Sequence, residues 1–302
     1  MVGACPTVDV LIVSYNGRDL LADCLESIER YPPEPSVAAV NVRVLDNASS
    51  DGTLAMIKDR FPEVSLEIVP DNLGFARANN RLVASSDADY LMLLNPDTRW
   101  KGDVIGPLLM LLRQSPEAIA VGPRLDWPDG TRQLSAQDFP SISYELALLM
   151  STTSWGRVVG RVWNFGEKVR SVERPDISTS QPSETPSLWA TCWLARRSDI
   201  AAVGLFDERY VTYDEDLDFC RRMRDRGRVF VYEPRITVTH VGGGSSSPDA
   251  KAALMQRGRY LYYARHHGRA AAFMYRRVLP ALATIDRRLR RTCNYLACFA
   301  SR

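Results

Sequence analysis

The stretch YLMLLNPDT occupies residues 90–98, where five apolar residues run directly into a polar turn. A short run that is apolar throughout is typical of a strand in a parallel sheet, because helices cover both faces of such a sheet. Strand and helix patterns alternate on either side of it, from about residue 8 to residue 121. This βαβ alternation predicts an α/β fold with an open, mostly parallel, doubly wound (Rossmann-like) sheet.

The boundaries of the predicted elements come from hydrophobic periodicity and from turn residues. Strands are expected at residues 8–14, 42–46, 66–69, 90–94, 118–121, 189–196, 229–232 and 236–240. Helices are expected at residues 19–30, 51–61, 75–85, 103–114 and 214–226, the second of them capped by Ser49 or Ser50. Open α/β sheets bind ligands beyond the carboxyl ends of their strands, so the candidate site lies in the loops after Ser14, Asp46, Val69 and Leu94.

The composition is that of an ordinary globular protein, with 302 residues of which 45% are hydrophobic and 25% charged. The six cysteines form no Cys-x-x-Cys pair, which argues against a zinc site and favours a reducing compartment. No apolar run is long enough to predict a transmembrane helix, and residues 1–7 lack the pattern of a signal peptide. These features favour a cytoplasmic protein.

Charge is distributed unevenly along the chain. Residues 251–302 hold 12 Lys and Arg and one acid, which leaves 26 of the 38 basic and 35 of the 36 acidic residues for residues 1–250. Such a basic segment indicates an anionic partner: a membrane surface, a diphosphate-bearing lipid or nucleic acid. The acidic remainder would repel nucleic acid, so no nucleic-acid partner is expected.

The same segment is rich in aromatic residues. A basic and aromatic helix favours docking on anionic lipid, although a solvated basic helix packed on the core is the alternative. The aromatic residues concerned are Tyr260, Tyr262, Tyr263, Phe273 and Tyr275.

The loops at four predicted strand ends are rich in Asp, Asn, Ser and Gly. They read SYNG at residues 14–17, DNASSDGT at 46–53, DNLGFARANN at 71–80 and NPDT at 95–98. Any one of them could be ordinary turn chemistry, since these residues favour turns. All four together predict a crevice that hydrogen-bonds a nucleobase and a ribose.

The order of these motifs resembles glycosyltransferase family 2, and in particular its rhamnosyltransferase-like branch. The resemblance runs through residues 12–16, 46–53, 72–75, 93–98, 122–125 and 128–130, resumes at 204–209 and 213–218, and ends near 240–245. It implies the GT-A fold, a nucleoside-diphosphate sugar donor, a divalent cation and inversion at the anomeric carbon. Residues 1–250 would form this domain, with a donor-binding half (1–125) and an acceptor and catalytic half (126–250), before a basic helical extension (251–302).

By this resemblance, Asp97 and His240 bind the metal. The family's usual Asp-x-Asp motif reads Asn95-Pro96-Asp97 here, which keeps one carboxylate. A hard cation held by carboxylate oxygen would neutralise the charge that builds on a diphosphate leaving group. Mn²⁺ or Mg²⁺ is expected, and an imidazole ligand favours Mn²⁺. The alternatives are a turn carboxylate at Asp97 and a structural histidine at His240.

Four acids, Asp214, Glu215, Asp216 and Asp218, open a predicted helix. Acids favour a helix N-terminus, which alone could explain them. An inverting transfer also needs a base for the acceptor hydroxyl, and the resemblance assigns this role to Asp216, with Glu215 as the second choice. Arg221 and Arg222, about one turn later, would pair with these acids or face the diphosphate.

The resemblance also implies the donor contacts. Asp46 would bind the pyrimidine or the ribose, and Arg77 would bind a phosphate unless it is an ordinary solvated helix residue. The other expected donor-binding residues are Ser14, Tyr15, Asn16, Asn47, Asn72, Gly74, Asn79 and Asn95. The chain departs from the family at residues 190–193, ATCW, where smaller residues are usual, so a narrower acceptor pocket is expected.

Together these features predict an inverting, metal-dependent glycosyltransferase that moves a sugar, by resemblance rhamnose, from dTDP-rhamnose or a UDP-sugar. The expected acceptor is a lipid-linked saccharide or a cell-surface polysaccharide, reached from the inner face of the cytoplasmic membrane by a peripherally bound protein. The alternative is a sugar-phosphate nucleotidyltransferase, which would need a Gly-rich loop bearing Arg or Lys that residues 14–17 do not provide. A nucleic-acid binder acting through the basic segment is the non-enzymatic alternative.

Overall fold

The computed structural model describes residues 5–152, 180–242 and 248–281. Its strands are β1 (Thr7–Ser14), β2 (Ala39–Asp46), β3 (Ser65–Ile68), β4 (Tyr90–Leu94), β5 (Thr98–Trp100), β6 (Ala118–Asp126), β7 (Arg132–Gln133), β8 (Ala136–Gln137), β9 (Ser183–Thr185), β10 (Ser187–Leu188), β11 (Cys192–Arg196) and β12 (Val229–His240). Its helices are α1 (Arg18–Arg30), α2 (Thr53–Arg60), α3 (Phe75–Ala84), α4 (Ile105–Gln114), α5 (Ile142–Thr152), α6 (Arg197–Val203), α7 (Glu215–Arg224), α8 (Pro248–His266) and α9 (Gly268–Phe273). A π-helical turn, Met274–Val278, follows α9.

The large sheet is mixed, and its strand order is β3-β2-β1-β4-β11-β6-β12-β5, with β7 on β6 and β9 on β12. β1 is parallel to β2 and β4, β2 is parallel to β3, and β12 is parallel to β6. β11 runs antiparallel between β4 and β6, so β6 and β12 point in the same direction as β4. The predicted mostly parallel sheet is confirmed, and the loops after β1, β2, β4 and β12 meet at one edge.

The prediction of two strands at residues 229–232 and 236–240 was wrong, because both belong to β12. Its pairing with β6 is irregular between Glu233 and Thr237, which accounts for the break in the apolar pattern. The last residue of β12, His240, pairs antiparallel with Thr98 of β5 and so lies next to the loop that follows β4.

The N-terminus of α2 also differs from the prediction. The N-cap residue is Gly52, which has φ 89°, and neither Ser49 nor Ser50 caps the helix. The carboxylate of Asp51 instead accepts the N–H of Thr53 at 3.1 Å. The two serines are therefore left to contacts between loops.

Helices cover both faces of the sheet. α1, α2 and α4 pack on one face over Val10 and Ile12, while α3 and α7 pack on the other over Leu11 and Val13. Successive side chains of a strand point to opposite faces, and both faces are covered, so β1 is buried from Val8 to Ser14. This double burial is the reason for the continuous apolar runs in β1 and β4.

Trp193 of β11 lies in the core and is fully buried. Its ring stacks on Phe219 with the centroids 5.4 Å apart, and it meets Phe206 and Phe230 edge-on. Its indole N–H donates to the carbonyl of Trp189 at 2.7 Å. The expectation that this residue narrows an acceptor pocket was therefore wrong.

The described part of the basic segment packs against α5 and α7. The shared core consists of Leu149, Leu217, Tyr262, Tyr263, Ala272, Tyr275 and Leu279. Tyr262, Tyr263 and Tyr275 are fully buried, which corrects the expectation that they face lipid, whereas the side chain of Phe273 is 61% exposed. Within the described residues, none of the helices has the length and apolar character needed to cross a bilayer.

Part of the sequence interpretation lies outside the described residues. The end of the family resemblance after residue 242 lies there, as do residues 282–302 of the basic segment. The membrane role expected of the basic segment stays a prediction for residues 282–302.

Candidate active site

Ser14 and Asp46 lie side by side at the carboxyl ends of β1 and β2, where they are partners in the parallel register. Both residues are fully buried. One carboxylate oxygen of Asp46 accepts the N–H of Ser49 at 2.9 Å. The other oxygen and the hydroxyl of Ser14 are buried with no hydrogen-bond partner in the described residues. Buried polar atoms without partners are costly, so this pair is suited to bind a polar ligand.

Two asparagines hold the neighbouring loops together. The side-chain oxygen of Asn16, whose φ is 49°, accepts the N–H of Ser50 at 2.8 Å and so links the loops after β1 and β2. The amide of Asn47 donates to Asn72 at 3.0 Å and links the loops after β2 and β3. The structure thus gives these residues a positioning role, and their contact with a donor stays a prediction. Tyr15, beside Asn16, is 37% exposed.

Gly74 marks a close approach between two loops. A side chain at this position would clash with Val211, whose carbonyl accepts the N–H of Phe75 at 2.7 Å. The same glycine has φ 77°, which other residues rarely adopt. The start of α3 is therefore fixed against the loop that precedes α7.

Two of the expected donor-binding residues, Asn79 and Arg77, lie on α3 and contact other groups of the protein. Asn79 is buried and donates to the carbonyl of Phe75 at 2.9 Å within the same helix. Arg77 has a side chain that is 62% exposed, and its Nε lies 3.9 Å from a carboxylate oxygen of Glu208. The surroundings of Arg77 match the solvated alternative.

Asp97 and His240 come together at the edge of the sheet. The Nε2 atom of His240 lies 3.3 Å from Oδ1 of Asp97, and each side chain is 13% exposed. The other ring nitrogen of His240 lies 2.5 Å from Oε1 of Gln133, an acceptor, so we assign the proton to Nδ1. The lone pair of Nε2 then faces the carboxylate, as in metal sites whose histidine is oriented by a second residue.

This donor set suits a divalent cation that is completed by the substrate. A carboxylate oxygen and a neutral imidazole are ligands for Mn²⁺, and Oδ1 of the nearby Asn95 is buried with no partner in the described residues. No group of three or more His, Cys, Asp or Glu able to hold a metal occurs among residues 5–152, 180–242 and 248–281. Diphosphate oxygens and water would have to supply the remaining ligands.

The acidic cluster at the start of α7 is divided by its partners. Asp218 is fully buried and accepts from Arg222 at 2.9 Å and from His266 at 2.8 Å. Asp214 accepts from Arg259 of α8 at 2.9 Å. These two acids are neutralised by cations and are structural.

Glu215 and Asp216 have no such cation among the residues that the structure describes. Oδ2 of Asp216 accepts the backbone N–H of Ala190 at 3.0 Å, and Oδ1 accepts that of Leu217 at 2.7 Å. Glu215 is buried, and its Oε2 has no partner in the described residues. Of the four acids, this pair is the one available for chemistry.

Burial separates the proton affinities of the cluster. Burial raises the pKa of Asp216 to about 6, against an opposing hydrogen bond from Ala190. Burial and the charge of Asp216 raise the pKa of Glu215 well above its ordinary range. Burial opposes the ionisation of Asp218, yet hydrogen bonds from His266 and Arg222 hold its pKa below the ordinary value. Asp216 is thus ionised at neutral pH but more basic than an ordinary aspartate, as a general base should be.

The acid pair and the Asp97 loop lie at the same edge of the sheet. The N–H of Asn95 donates to the carbonyl of Thr191 at 2.9 Å, one residue away from the Ala190 N–H that Asp216 accepts. Burial, followed by the charges of Glu215 and Asp97, raises the pKa of the Tyr213 hydroxyl. The charges of both groups therefore act on the Tyr213 hydroxyl.

Sequence reasoning missed three residues of this arrangement. Gln133 orients His240 from the two-residue strand β7, where no periodic pattern marks it. Arg259 contacts Asp214 across 45 positions of sequence. Tyr213 lies in one of the motifs of the family resemblance, but the sequence gives it no role of its own. From the positive net charge of the last segment, the expected partner was a membrane surface, a diphosphate-bearing lipid or nucleic acid, and not an acid of the same chain.

The family model "Glycosyl transferase family 2" matches residues 9–204. The chain belongs to glycosyltransferase family 2. The matched residues include Asp46 and Asp97 and end before Glu215, Asp216 and His240. The protein is a glycosyltransferase, as the sequence predicted, and the nucleotidyltransferase alternative is not favoured.

A curated relative covers most of the chain. The N-acetylglucosaminyl-diphospho-decaprenol L-rhamnosyltransferase of Mycobacterium tuberculosis is 32% identical over 273 residues, which are 85% of this chain and 84% of that protein. This similarity supports the rhamnosyltransferase-like branch of the family.

Solved structures agree with the expected GT-A-like fold. One is the mannosyltransferase PcManGT from Pyrobaculum calidifontis in complex with GDP-Man and Mn²⁺, which has a TM-score of 0.59 at 15% identity. The match covers 99% of this chain and 86% of the mannosyltransferase chain. GalNAc-T7 with UDP, GalNAc and Mn²⁺ has a TM-score of 0.60 at 15% identity and covers 89% of this chain, which spans only 52% of that protein. At this identity the likeness shows the fold alone.

Asp218 is a buried acid with a cation partner and Asp225 an exposed one, so replacing these two acids should lower the free energy of unfolding by different amounts. Asp218→Asn should lower the free energy of unfolding by about 3 kcal/mol or more, because Arg222 stays buried without its charge partner. Asp225→Asn, which removes the exposed partner of Arg221, should cost less than about 1 kcal/mol. Urea denaturation of both variants measures the difference, and equal losses would contradict a structural role for Asp218.

Proposed function

We propose that the protein is an inverting, metal-dependent rhamnosyltransferase that uses a nucleoside-diphosphate rhamnose, such as dTDP-rhamnose, and a lipid-linked saccharide acceptor. The observation that carries the proposal is the pairing, at one sheet edge, of a desolvated acid pair with the Asp97–His240 donor set. The sugar and the acceptor class are those named for the mycobacterial relative. A UDP-sugar is the alternative donor, and UDP is present in the GalNAc-T7 structure.

The donor would bind along the ends of β1, β2 and β4. Asp46 and Ser14 offer their unpartnered oxygens to the nucleoside, and Asn16, Asn47 and Asn72 keep the surrounding loops in place. Asp97 and His240 would hold the divalent cation, Mn²⁺ or Mg²⁺. When bound, that cation neutralises the negative charge that develops on the departing diphosphate.

Asp216 would be the base. Its ionised carboxylate takes the proton of the acceptor hydroxyl, whose oxygen forms a bond to the anomeric carbon on the face opposite the diphosphate. The bond from that carbon to the diphosphate oxygen breaks with its electron pair, so the configuration inverts. The transition state carries oxocarbenium character, as in glycoside hydrolysis.

Glu215 would act differently from Asp216. Burial and the charge of Asp216 raise the pKa of Glu215 well above its ordinary range, which favours the protonated form that can donate a hydrogen bond. A buried neutral carboxyl beside the base is suited to orient the acceptor. The two carboxyls would thus have different roles, because desolvation raises their pKa values unequally.

Asp216→Asn should abolish transfer while donor binding stays within about tenfold, because the amide preserves shape but accepts no proton. In the wild type, kcat/KM should fall as the pH decreases through about 6, where Asp216 becomes protonated. Turnover measured from about pH 3.5 to about pH 8 checks both points, with Asp225→Asn as an exposed control close in sequence. Near-normal turnover of Asp216→Asn, or an acid limb near pH 4, would contradict the assignment.

Asp97→Ala should remove the effect of the cation on donor binding. Calorimetric titration with dTDP or UDP, with and without Mn²⁺, should show cation-dependent affinity in the wild type and none in the variant. Asp59→Ala, an exposed carboxylate of α2, is the matched control and should behave as the wild type. A cation dependence that persists in Asp97→Ala would remove this residue from the metal site.

The basic segment would dock the enzyme peripherally on the inner face of the cytoplasmic membrane, where a lipid-linked acceptor is presented. Phe273 is 61% exposed at the end of α9, and Arg269, Arg276 and Arg277 are exposed within about one turn of it. An apolar side chain among arginines suits insertion between anionic headgroups.

Sedimentation of the full chain with phosphatidylglycerol vesicles tests this docking. Replacing Arg269, Arg276 and Arg277 by Ser should weaken binding by at least about tenfold, since each basic residue near an anionic surface contributes about 1 kcal/mol. Binding should be lost on phosphatidylcholine vesicles and at high salt. Unchanged binding of the triple variant, with Lys58→Ser of α2 as control, would refute a role for this surface.

A further inference from the structure

The turn that precedes the acid pair is strained. Tyr213 has φ 71° and Asp214 has φ 63°, so two consecutive residues other than glycine occupy the left-handed region. Each such residue costs about 1–3 kcal/mol and persists only where its surroundings hold it. Glu215 follows at once as the first residue of α7. The conformation of this turn therefore sets where Glu215 and Asp216 are presented.

α8 supplies the surroundings that hold the turn. The backbone of α8 at Gly258 lies so close to the carbonyl of Tyr213 that even a methyl side chain would overlap it. Gly258 is buried, and its flexibility is not needed because it lies within a helix. The glycine is thus explained by close approach alone.

The next residue, Arg259, clamps the turn by its side chain. Its Nε lies 2.9 Å and its Nη2 3.3 Å from the two carboxylate oxygens of Asp214. Its Nη1 lies 2.8 Å from Glu145 of α5, which also accepts the hydroxyl of Tyr263 at 3.0 Å. The planar guanidinium therefore joins α5, the strained turn and α8, which a single ammonium could not do in the same geometry.

We infer that Gly258 and Arg259 of the basic segment are positioning residues for the transfer reaction, because they fix the Tyr213–Asp214 turn that presents Glu215 and Asp216. The inference rests on the proposed role of Asp216. Arg259 has a side chain that is 14% exposed, and its ion pairs are with Asp214 and Glu145. It acts on the acid pair through the backbone of Asp214.

A purely structural ion pair makes a different prediction from a positioning residue. Loss of a structural pair lowers stability and leaves kcat of the folded enzyme unchanged. Loss of a positioning residue lowers kcat while the donor keeps its affinity, because its proposed contacts with Ser14 and Asp46 do not involve the Tyr213–Asp214 turn. A displacement of about 1 Å in a reacting group can cost on the order of a hundredfold in rate.

Four variants of the full chain separate these roles. Arg259→Met and Gly258→Ala should lower kcat by on the order of a hundredfold, with Kd for dTDP or UDP in the presence of Mn²⁺ within about threefold of the wild type. Arg259→Lys, which keeps the charge and loses the fork, should fall between Arg259→Met and the wild type. Arg257→Met is the matched control, since Arg257 is exposed two positions away, and it should behave as the wild type.

A double variant tells positioning from stability. In Asp214→Gly with Arg259→Met, glycine accepts the left-handed conformation without strain, so the melting temperature should recover towards the wild type. The kcat should stay low, because the turn is relaxed but no longer held in place. Recovery of kcat together with stability would overturn the inference, as would a loss of donor affinity equal to the loss of kcat.

The activity of Asp216→Asn distinguishes a failure of the positioning role from a failure of the base assignment. Wild-type kcat in Arg259→Met and Gly258→Ala, beside an inactive Asp216→Asn, would overturn the positioning role and leave the base in place. An active Asp216→Asn would overturn the base assignment, whatever the other variants do.

Discussion

The parallel pairing of β1 with β2 and β4 is the constraint on which the site depends. Parallel strands end together, so the polar residues that follow each apolar run are brought to one edge without any contact between them in sequence. Ser14 and Asp46 are direct partners in that register, and each has a buried oxygen for which the described part of the chain offers no hydrogen-bond partner. Buried oxygens without a partner are costly, so this pair at the sheet edge is suited to bind a polar ligand.

Across this edge, electrostatics is arranged by burial and by the distribution of cations. Four acids lie close together at the start of α7, and positive charges from α7 and α8 neutralise Asp214 and Asp218. The remaining two are desolvated, which raises the pKa of both, and the charge of Asp216 raises that of Glu215 further. The same cluster therefore contains both the acids that anchor the C-terminal helices and the two acids that have no cation partner among the described residues.

The sequence predicted those parts of the fold that repeat with a fixed period or stand at the end of an element. The βαβ alternation, the strand-end loops and the family membership were confirmed because each depends on local patterns. The antiparallel β11 and the irregular β12 depend on pairing partners distant in the chain, which no local pattern encodes. For the same reason the burial of Tyr262 and Tyr263 against α5 and α7 could not be foreseen, since aromatic and basic composition fits a wet surface and a packed one equally well.

The core that α8 and α9 share with α5 and α7 has a consequence for exchange of segments between relatives. Leu217 lies on the helix that carries the acid pair, and it packs among tyrosines contributed by the last third of the chain. Replacing the C-terminal segment by that of a relative would change the residues that pack against the helix carrying the acid pair, even if every residue proposed to contact substrate were kept. Chimeras intended to alter the acceptor should therefore be joined outside residues 142–281, so that this core is inherited from one parent.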